Sequence, residues 1–209
     1  MGRRILHGKT VAWRTPALPA LPDNLTMRIR VLGCSGGIGG SLRTTALLVD
    51  DDVLIDAGTG VGDLPLESLA KIDHIFVSHS HLDHVTSIPF LVDSVCWMRG
   101  SPIVVYGIPE TLDILRTHLF NWKLWPDFTQ IPNGDNPFMI YREIQPGEAV
   151  DLNGRRFTAF PANHTVPAVG YAVESGRASL VFSCFASISW MRAMTALGVA
   201  AGASTPFQL

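Results

Sequence analysis

The chain has 209 residues and a formal net charge of −2, which fits one domain of ordinary size. Apolar residues make up 47% and charged residues 16%, so there is enough apolar area to bury and a disordered chain is excluded. The near-neutral charge also argues against a strongly basic nucleic-acid binder, because no net positive field gathers phosphates. We expect no membrane-spanning helix, since no run of about 18 uncharged apolar residues occurs.

The two ends of the chain differ from its middle in charge. Residues 1–26 begin with basic residues, are interrupted by prolines and lack the apolar stretch of a signal peptide, so we interpret them as an N-terminal arm. Residues 184–209 carry a single charge, on Arg192. The three cysteines are widely spaced, which favours free thiols and a reducing, cytoplasmic location.

The predicted elements begin with alternating apolar and basic residues, which indicate a half-buried strand with Met27, Ile29 and Val31 on its inner side. Next come a glycine-rich loop, two strands around an aspartate turn, a short helix, a buried strand and a helix made irregular by Pro89, over residues 33–40, 44–49, 53–55, 64–71, 72–78 and 85–98. A strand, a helix, a long loop and four strands follow, over residues 102–106, 109–120, 121–138, 139–143, 156–160, 169–174 and 179–182. This order predicts an α/β sandwich.

Four of the seven histidines belong to one candidate site. His79 and His81 follow the predicted buried strand and share a side of it, whereas Asp83 and His84 lie at the turn into the next helix. His164 follows another predicted strand, so it can lie at the same sheet edge. Imidazole nitrogens with a carboxylate suit zinc, and also iron or manganese, better than calcium or magnesium. So dense a group within six positions is hard to explain as incidental surface residues.

The pattern His-x-His-x-Asp-His, with Asp56 in an Asp-x-Gly phrase before it and His164 after it, resembles the metallo-β-lactamase superfamily. The resemblance covers residues 27–183 and implies an αββα sandwich with a two-metal site at one edge. Residues 79–88 are similar to the signature of class II cyclic-nucleotide phosphodiesterases, although Pro89 stands where that signature has an aliphatic residue. The glycine-rich phrase around Cys34 and the phrase that begins at His164 resemble the same branch.

The resemblance implies a role for each of these residues. His79, His81 and His164 would hold one metal, and Asp83 and His84 a second, both expected to be zinc. A metal-activated hydroxide would attack the phosphorus of a 3′,5′-cyclic nucleotide such as cyclic AMP, while Asp83 orients it or takes a proton. Asp56 would accept hydrogen bonds that orient the histidine segment.

Other activities stay open, because tRNA-processing nucleases and thioester, lactone and β-lactam hydrolases share the histidine–aspartate pattern. The acidic balance of the chain speaks against the nuclease, so we expect a small-molecule substrate and neither a nucleic acid nor a membrane as partner. The sequence leaves a homodimer open. The tryptophan-containing segment 121–126 either covers the site and stacks a base or, as we favour, simply packs.

The resemblance ends abruptly after Ser183. The family has an aspartate that bridges the two metals where this chain has Phe185, and a further ligand histidine, whereas no histidine follows His164 here. We therefore expect a domain truncated or altered at its C-terminus, an atypical tail over residues 184–209 and a compromised second metal position. A reading-frame change near codon 183, or divergence into an inactive remnant, explains the break more economically than a thiolate from Cys184, one residue from the aspartate's place.

Overall fold

The structure is a computed structural model that describes residues 27–176 and 178–184. The predicted arm over residues 1–26, and the tail from Phe185 onwards, lie outside the described residues. Two sheets face each other. The first has six strands in chain order, β1 (Ile29–Gly33), β2 (Ala46–Val49), β3 (Val53–Ile55), β4 (His74–Phe76), β5 (Ile103–Gly107) and β6 (Met139–Glu143). The second has four strands in the order β10-β9-β8-β7: β7 (Ala149–Leu152), β8 (Arg155–Ala162), β9 (Ala168–Ser175) and β10 (Ala178–Phe182).

Four short α-helices connect the strands of the first sheet. They are α1 (Leu66–Leu69), α2 (Leu82–Val85), α3 (Ser87–Val95) and α4 (Pro109–Ile114), with 3₁₀ turns at Thr59–Asp63 and Cys96–Met98 and a π-helical turn at Leu115–Leu119. Among the described helices, none has the length and apolar character needed to cross a membrane. The mixture of sheets and helices confirms the predicted α/β class.

Two apolar cores hold these layers together. Residues of α3 and α4, such as Ile88 and Leu112, pack against one face of the first sheet. The opposite face packs against the second sheet through Phe76, Phe157 and Tyr171, all less than 1% exposed. Phe76 stacks between two aromatic rings, with centroid distances of 4.4 Å to Tyr106 and 4.5 Å to Phe157. The described residues therefore form three layers, helix–sheet–sheet, of the expected αββα sandwich.

The direction of the strands decides where chemistry can take place. The pairs β3–β4, β4–β5 and β5–β6 are parallel, so the carboxyl ends of these strands meet at one edge of the first sheet. Every residue of β3 is buried, as expected for a strand covered on both faces. Asp56 follows β3 and Ser78 follows β4, so both lie at this edge.

An ion-pair group joins the two sheets at the opposite end of β3. Arg155, at the start of β8, is 4% exposed and donates to both carboxylate oxygens of Asp52, at 2.6 and 2.7 Å. The same guanidinium donates to Asp50 at 3.0 Å. These aspartates belong to the predicted turn between β2 and β3. Burial acts to raise the pKa of Asp52, but the guanidinium of Arg155 holds that pKa below its usual value.

The structure differs from the sequence predictions at three points. Val31 was expected on the inner side of β1, but it is 59% exposed because β1 is an edge strand. The helix predicted over residues 85–98 begins earlier, at Leu82, and is divided into α2 and α3, so Asp83 and His84 are helical. β7 was missed because its four residues have little pattern of their own and are held by pairing with β8.

Candidate active site

The site begins at Asp56, which is fully buried and has a left-handed backbone with φ of 57°. Such a conformation is uncommon outside glycine and is found where surrounding contacts fix it. Its backbone N–H donates to the Phe76 carbonyl at 2.8 Å, and the next amide, of Ala57, donates to the His84 carbonyl at 2.7 Å. A Cβ at Gly58 would lie 2.6 Å from the Asp83 carbonyl oxygen, so only glycine permits α2 to approach this closely. The Asp-x-Gly phrase therefore seats α2 beside β3.

The carboxylate of Asp56 is the centre of a buried hydrogen-bond group. Ser78 donates to it twice, through its backbone N–H and its hydroxyl, both at 2.8 Å. The Nδ1 of His84 lies 2.7 Å from the same carboxylate. Asp56 thus contacts the histidine segment at Ser78 and His84, and its expected orienting role stays a prediction. The sequence reasoning missed Ser78, whose only signal was its place at the end of a buried strand.

These contacts determine which ring nitrogens face the site. The one hydroxyl proton of Ser78 is given to Asp56, so the Nδ1–H of His79 donates to Ser78 Oγ at 2.9 Å. This leaves a lone pair on Nε2 of His79. In the same way His84 donates its Nδ1–H to Asp56 and presents Nε2. Hydrogen bonding of this kind fixes the tautomer of metal-ligating histidines.

Burial and charge separate the pKa values of these two histidines. Burial lowers the pKa of His79 to about 3, with further lowering from the neighbouring histidines, so its ring is neutral at pH 7. Burial also acts to lower the pKa of His84, but the hydrogen bond to Asp56, aided by Cys184, raises it to about 10 in the metal-free chain. His79 therefore offers a lone pair at neutral pH, whereas His84 must release a proton before Nε2 can bind a metal.

Three histidine nitrogens converge on one point, and we call His79, His81 and His164 the three-histidine cluster. His79 Nε2 lies 3.1 Å from His81 Nδ1 and 2.9 Å from His164 Nε2. Nitrogens bound to one tetrahedral zinc at about 2.0–2.1 Å are about 3.3 Å apart, so a small expansion of the cluster would admit the ion. The donor set and its spacing therefore fit a divalent transition metal.

The second sheet places His164 in this cluster. The loop that contains His164 joins β8 to β9, and β9 is fastened to the strand before His79 at two points. The Val169 N–H donates to the Ser78 carbonyl at 2.9 Å, and the hydroxyl of Tyr171 donates to the Val77 carbonyl at 2.8 Å. A residue 85 positions from His79 is thus held at the same edge by contacts between the sheets.

A second set of donors lies beside the cluster, and we call Asp83, His84 and Cys184 the second donor group. Asp83 Oδ2 lies 3.4 Å from His84 Nε2, and the Asp83 side chain is 32% exposed. The Sγ of Cys184 lies 3.9 Å from each ring nitrogen of His84. Donor atoms of His79, His84 and Cys184 all lie within 4.8 Å of one another. Cys184, which the sequence analysis treated as the less economical explanation, therefore lies at the site. Phe185 lies outside the described residues.

The tryptophan-containing segment lies in the long loop between α4 and β6. Trp125 packs edge-on against Phe90 of α3, with ring centroids 5.0 Å apart. Trp122 is 63% exposed. The packing role favoured from the sequence describes Trp125, whereas Trp122 makes its ring available to solvent.

Comparison with known proteins places the chain in a family. The model of a β-lactamase superfamily domain matches residues 51–184. Ribonuclease Z of Halorubrum lacusprofundi is 33% identical over 159 residues, 72% of this chain and 48% of that protein. A probable 3′,5′-cyclic-nucleotide phosphodiesterase of Yersinia pestis is 33% identical over 102 residues, 45% of this chain and 27% of that protein. The crystal structure of YhfI from Bacillus subtilis, a metallo-β-lactamase fold protein, superposes with a TM-score of 0.58 at 20% identity, covering 74% of this chain and 61% of that one.

These matches have a common extent. The family model covers the segment from the aspartate turn before β3 to Cys184, which contains every residue of the three-histidine cluster and of the second donor group. The chain spans about half of the ribonuclease Z and about a quarter of the phosphodiesterase.

Proposed function

Because the chain belongs to the metallo-β-lactamase superfamily, we propose that it is a metal-dependent phosphodiesterase whose substrate is a 3′,5′-cyclic nucleotide such as cyclic AMP. The observation that carries the proposal is the three-histidine cluster, in which nitrogens of His81 and His164 lie 3.1 and 2.9 Å from His79 Nε2. Two relatives of the chain, one named for cyclic nucleotides and one for RNA, both act by name on compounds that contain phosphodiester bonds. Phosphodiester hydrolysis is therefore the chemistry that the comparisons support in common.

Each residue of the site has a part in this proposal. His79, His81 and His164 would hold the first metal through Nε2, Nδ1 and Nε2, and zinc suits this all-nitrogen set. A bound divalent metal supplies Lewis-acid chemistry, which polarises a phosphoryl oxygen and acidifies water at neutral pH. Ser78 and Asp56 keep the first ring in the tautomer that presents its lone pair.

Asp83 is the residue that we assign to proton transfer. Its carboxylate is partly exposed and lies 3.4 Å from His84, so it can reach both solvent and the second donor group. A carboxylate in this position can take a proton from the attacking water and return it to the leaving alkoxide. His84, which is buried and held by Asp56 on its other ring nitrogen, lies beside this carboxylate.

RNA is the second candidate substrate, and the relatives named ribonuclease favour it. The sequence led us to expect no nucleic-acid partner, and the comparisons do not support that expectation. The formal net charge of −2 still argues for the smaller substrate, because tight RNA binding draws on many lysine and arginine contacts to phosphates.

The free thiols of Cys34, Cys96 and Cys184 suit a reducing cytoplasm, where we place the activity.

One assay series tests the proposal. The zinc-loaded chain is given cyclic AMP, a small precursor RNA, bis(p-nitrophenyl) phosphate and an acyl thioester, and metal content is measured on the same sample. We expect hydrolysis of the cyclic nucleotide and of the model diester, and loss of both in His81→Ala. Hydrolysis of RNA alone would transfer the assignment to the second candidate. Turnover of the thioester alone, or none with metal bound, would overturn the phosphodiesterase proposal.

A further inference from the structure

Large apolar side chains are exposed on the outer side of the helix layer. Five of them are each more than half exposed, and we call them the apolar face: Phe90, Trp97, Met98, Trp122 and Leu124. The first three belong to α3 and the 3₁₀ turn that follows it, and the other two belong to the long loop between α4 and β6. Soluble proteins bury such side chains where they can, so a cluster of them at the surface indicates a binding surface.

Two ring contacts join the helix and loop members of the apolar face. The ring of Trp125 packs edge-on against Phe90, with centroids 5.0 Å apart, and Phe138 packs in the same way against Trp97 at 4.7 Å. The chain just before Trp125 supplies the two exposed loop members. The loop therefore runs beside α3, and the exposed side chains of both elements form one surface.

Trp122 is held in a turn that presents its ring to solvent. Its φ of 63° is left-handed, a conformation that is costly for a bulky residue and is kept only where surrounding contacts fix it. The Trp122 N–H donates to the Trp125 carbonyl at 3.0 Å. Asn121 Oδ1 accepts from the next two amides, of Lys123 at 3.0 Å and of Leu124 at 2.8 Å. An exposed tryptophan fixed in this way is typical of an anchor residue in a protein interface.

The size of the apolar face fits one protein interface. An aromatic side chain can bury about 150–250 Å², so the apolar face offers about 600 Å². The largest apolar patch on a monomer is usually about 300–600 Å². A standard interface buries about 800 Å² on each partner, of which about 56–65% is apolar. The apolar face therefore supplies the apolar area that such an interface needs.

The charges beside the apolar face make it complementary to itself. Asp93 is exposed on α3 between Phe90 and Trp97, and Lys123 is exposed in the loop between Trp122 and Leu124. Neither forms an ion pair with another of the described residues. In a two-fold interface the α3 side of one copy meets the loop side of the other, so these opposite charges approach each other twice. A formal net charge of −2 gives little repulsion between two copies.

We propose that the apolar face is the interface of a two-fold symmetric dimer of this chain, with Trp122 as its anchor. Asp93 of each copy then pairs with Lys123 of the partner subunit. This assigns a surface to the homodimer that the sequence leaves open. The proposal depends neither on a bound metal nor on the reaction that the site performs.

Sedimentation velocity of the full chain over a range of concentrations tests the interface. We expect a reversible dimer, and a dissociation constant at least about 30-fold higher in Trp122→Ala. Ile38→Ala is the matched control, because it removes a side chain that is 74% exposed but lies in the glycine-rich loop, and it should leave the constant unchanged.

Trp122→Gly separates loss of the interface from loss of the fold. Glycine adopts the left-handed backbone without strain, so the dilute, monomeric variant should unfold at a higher urea concentration than the unaltered monomer. Its dimer should still be weakened as in Trp122→Ala. A lower urea midpoint together with a weaker dimer would show that the turn supports the fold and would overturn its role as an anchor.

Charge reversal identifies the occupant of the apolar face as a second copy. Asp93→Lys and Lys123→Asp each place like charges opposite one another, so each variant alone should dimerise about 10-fold more weakly. An equimolar mixture of the two variants should form a mixed dimer, because each copy then meets the opposite charge. A mixture no stronger than its components would overturn the two-fold arrangement.

The same experiments can overturn the proposal as a whole. A chain that sediments as a monomer at every concentration reached, or a dimer that Trp122→Ala leaves unchanged, would contradict it. A monomer that co-sediments with phosphatidylcholine vesicles would assign the apolar face to a lipid surface instead of a second copy.

Discussion

The three-histidine cluster and the second donor group lie side by side, and they differ in how closely their donor atoms are held. His79 Nε2 lies 3.1 and 2.9 Å from nitrogens of His81 and His164, whereas the contacts of His84 with Asp83 and Cys184 are 3.4 and 3.9 Å. His79 is fully buried and fixed through Ser78, but the Asp83 side chain is a third exposed. The difference indicates that the donors of the first position are held closer together than those of the second.

Asp56 connects the two groups. It holds His84 directly and His79 through Ser78, so one buried carboxylate orients a ring in each group. Substitutions can therefore affect the first group alone or both together, and the following predictions use that difference.

Loss of a cluster histidine should have the largest effect. In His164→Ala only two of the three nitrogens remain to bind the first metal. We expect the affinity for that metal to fall by more than about 100-fold, which exceeds the usual effect of removing a hydrogen-bond partner of a ligand. Equilibrium dialysis with zinc and a competing chelator measures it. His118→Ala, which removes an exposed histidine outside the cluster, is the matched control and should bind as the unaltered chain does. Equal affinity in both variants would mean that His164 is not a ligand.

Asp56→Asn should weaken both positions. The amide keeps the shape but loses the charge that accepts from Ser78 and His84, so we expect about 10–100-fold weaker binding of each equivalent in the same dialysis experiment. Asp63→Asn alters an exposed aspartate paired with Arg43 and serves as the control. An effect confined to one equivalent would show that Asp56 does not connect the groups.

Ser78→Ala should affect the first position alone. It removes the hydroxyl between Asp56 and His79 but leaves the direct contact of Asp56 with His84, so we expect about 10-fold weaker binding at the cluster only. Ser87→Ala is the matched control, because its buried hydroxyl donates to the Gly58 carbonyl and touches no ring. Equal losses of zinc affinity in the two variants would mean that Ser78 stabilises the fold and does not act on the metal through His79.

Tyr171→Phe should have the smallest effect. It removes the hydroxyl that fastens β9 to the strand before His79, which we expect to lower the free energy of unfolding by about 1 kcal/mol. Urea unfolding of the metal-free chain measures the change. Tyr141→Phe is a sharp control, since its buried hydroxyl has no hydrogen-bond partner among the described residues and its removal should cost nothing. If the two variants unfold alike, the contact between the sheets contributes little.

The sequence was sufficient for the α/β class and for the edge at which the histidines gather, because both depend on local patterns. The buried strand before His79 and the spacing of His79 and His81 are visible in a few residues. The sequence predicted that Asp56 accepts hydrogen bonds but did not identify Ser78 as a donor. Ser78 acquires its part only because β3 and β4 are parallel neighbours, which brings residues 22 positions apart into contact.

Long-range contacts explain what the sequence left out. Cys184 reaches His84, 100 positions away, through the pairing of β10 with β9. Arg155 reaches the aspartate turn across both sheets. Neither contact has a local signal in the sequence. The short strand β7 also lacks one, because it is held by its pairing with β8 and not by a pattern among its own residues.

The most direct test of the central claim is an anomalous difference map from a crystal of the zinc-loaded chain, recorded at the zinc absorption edge. We predict a peak bonded to His79 Nε2, His81 Nδ1 and His164 Nε2. A zinc-loaded crystal in which these three histidines remain in contact with one another, with no peak between them, would contradict the account.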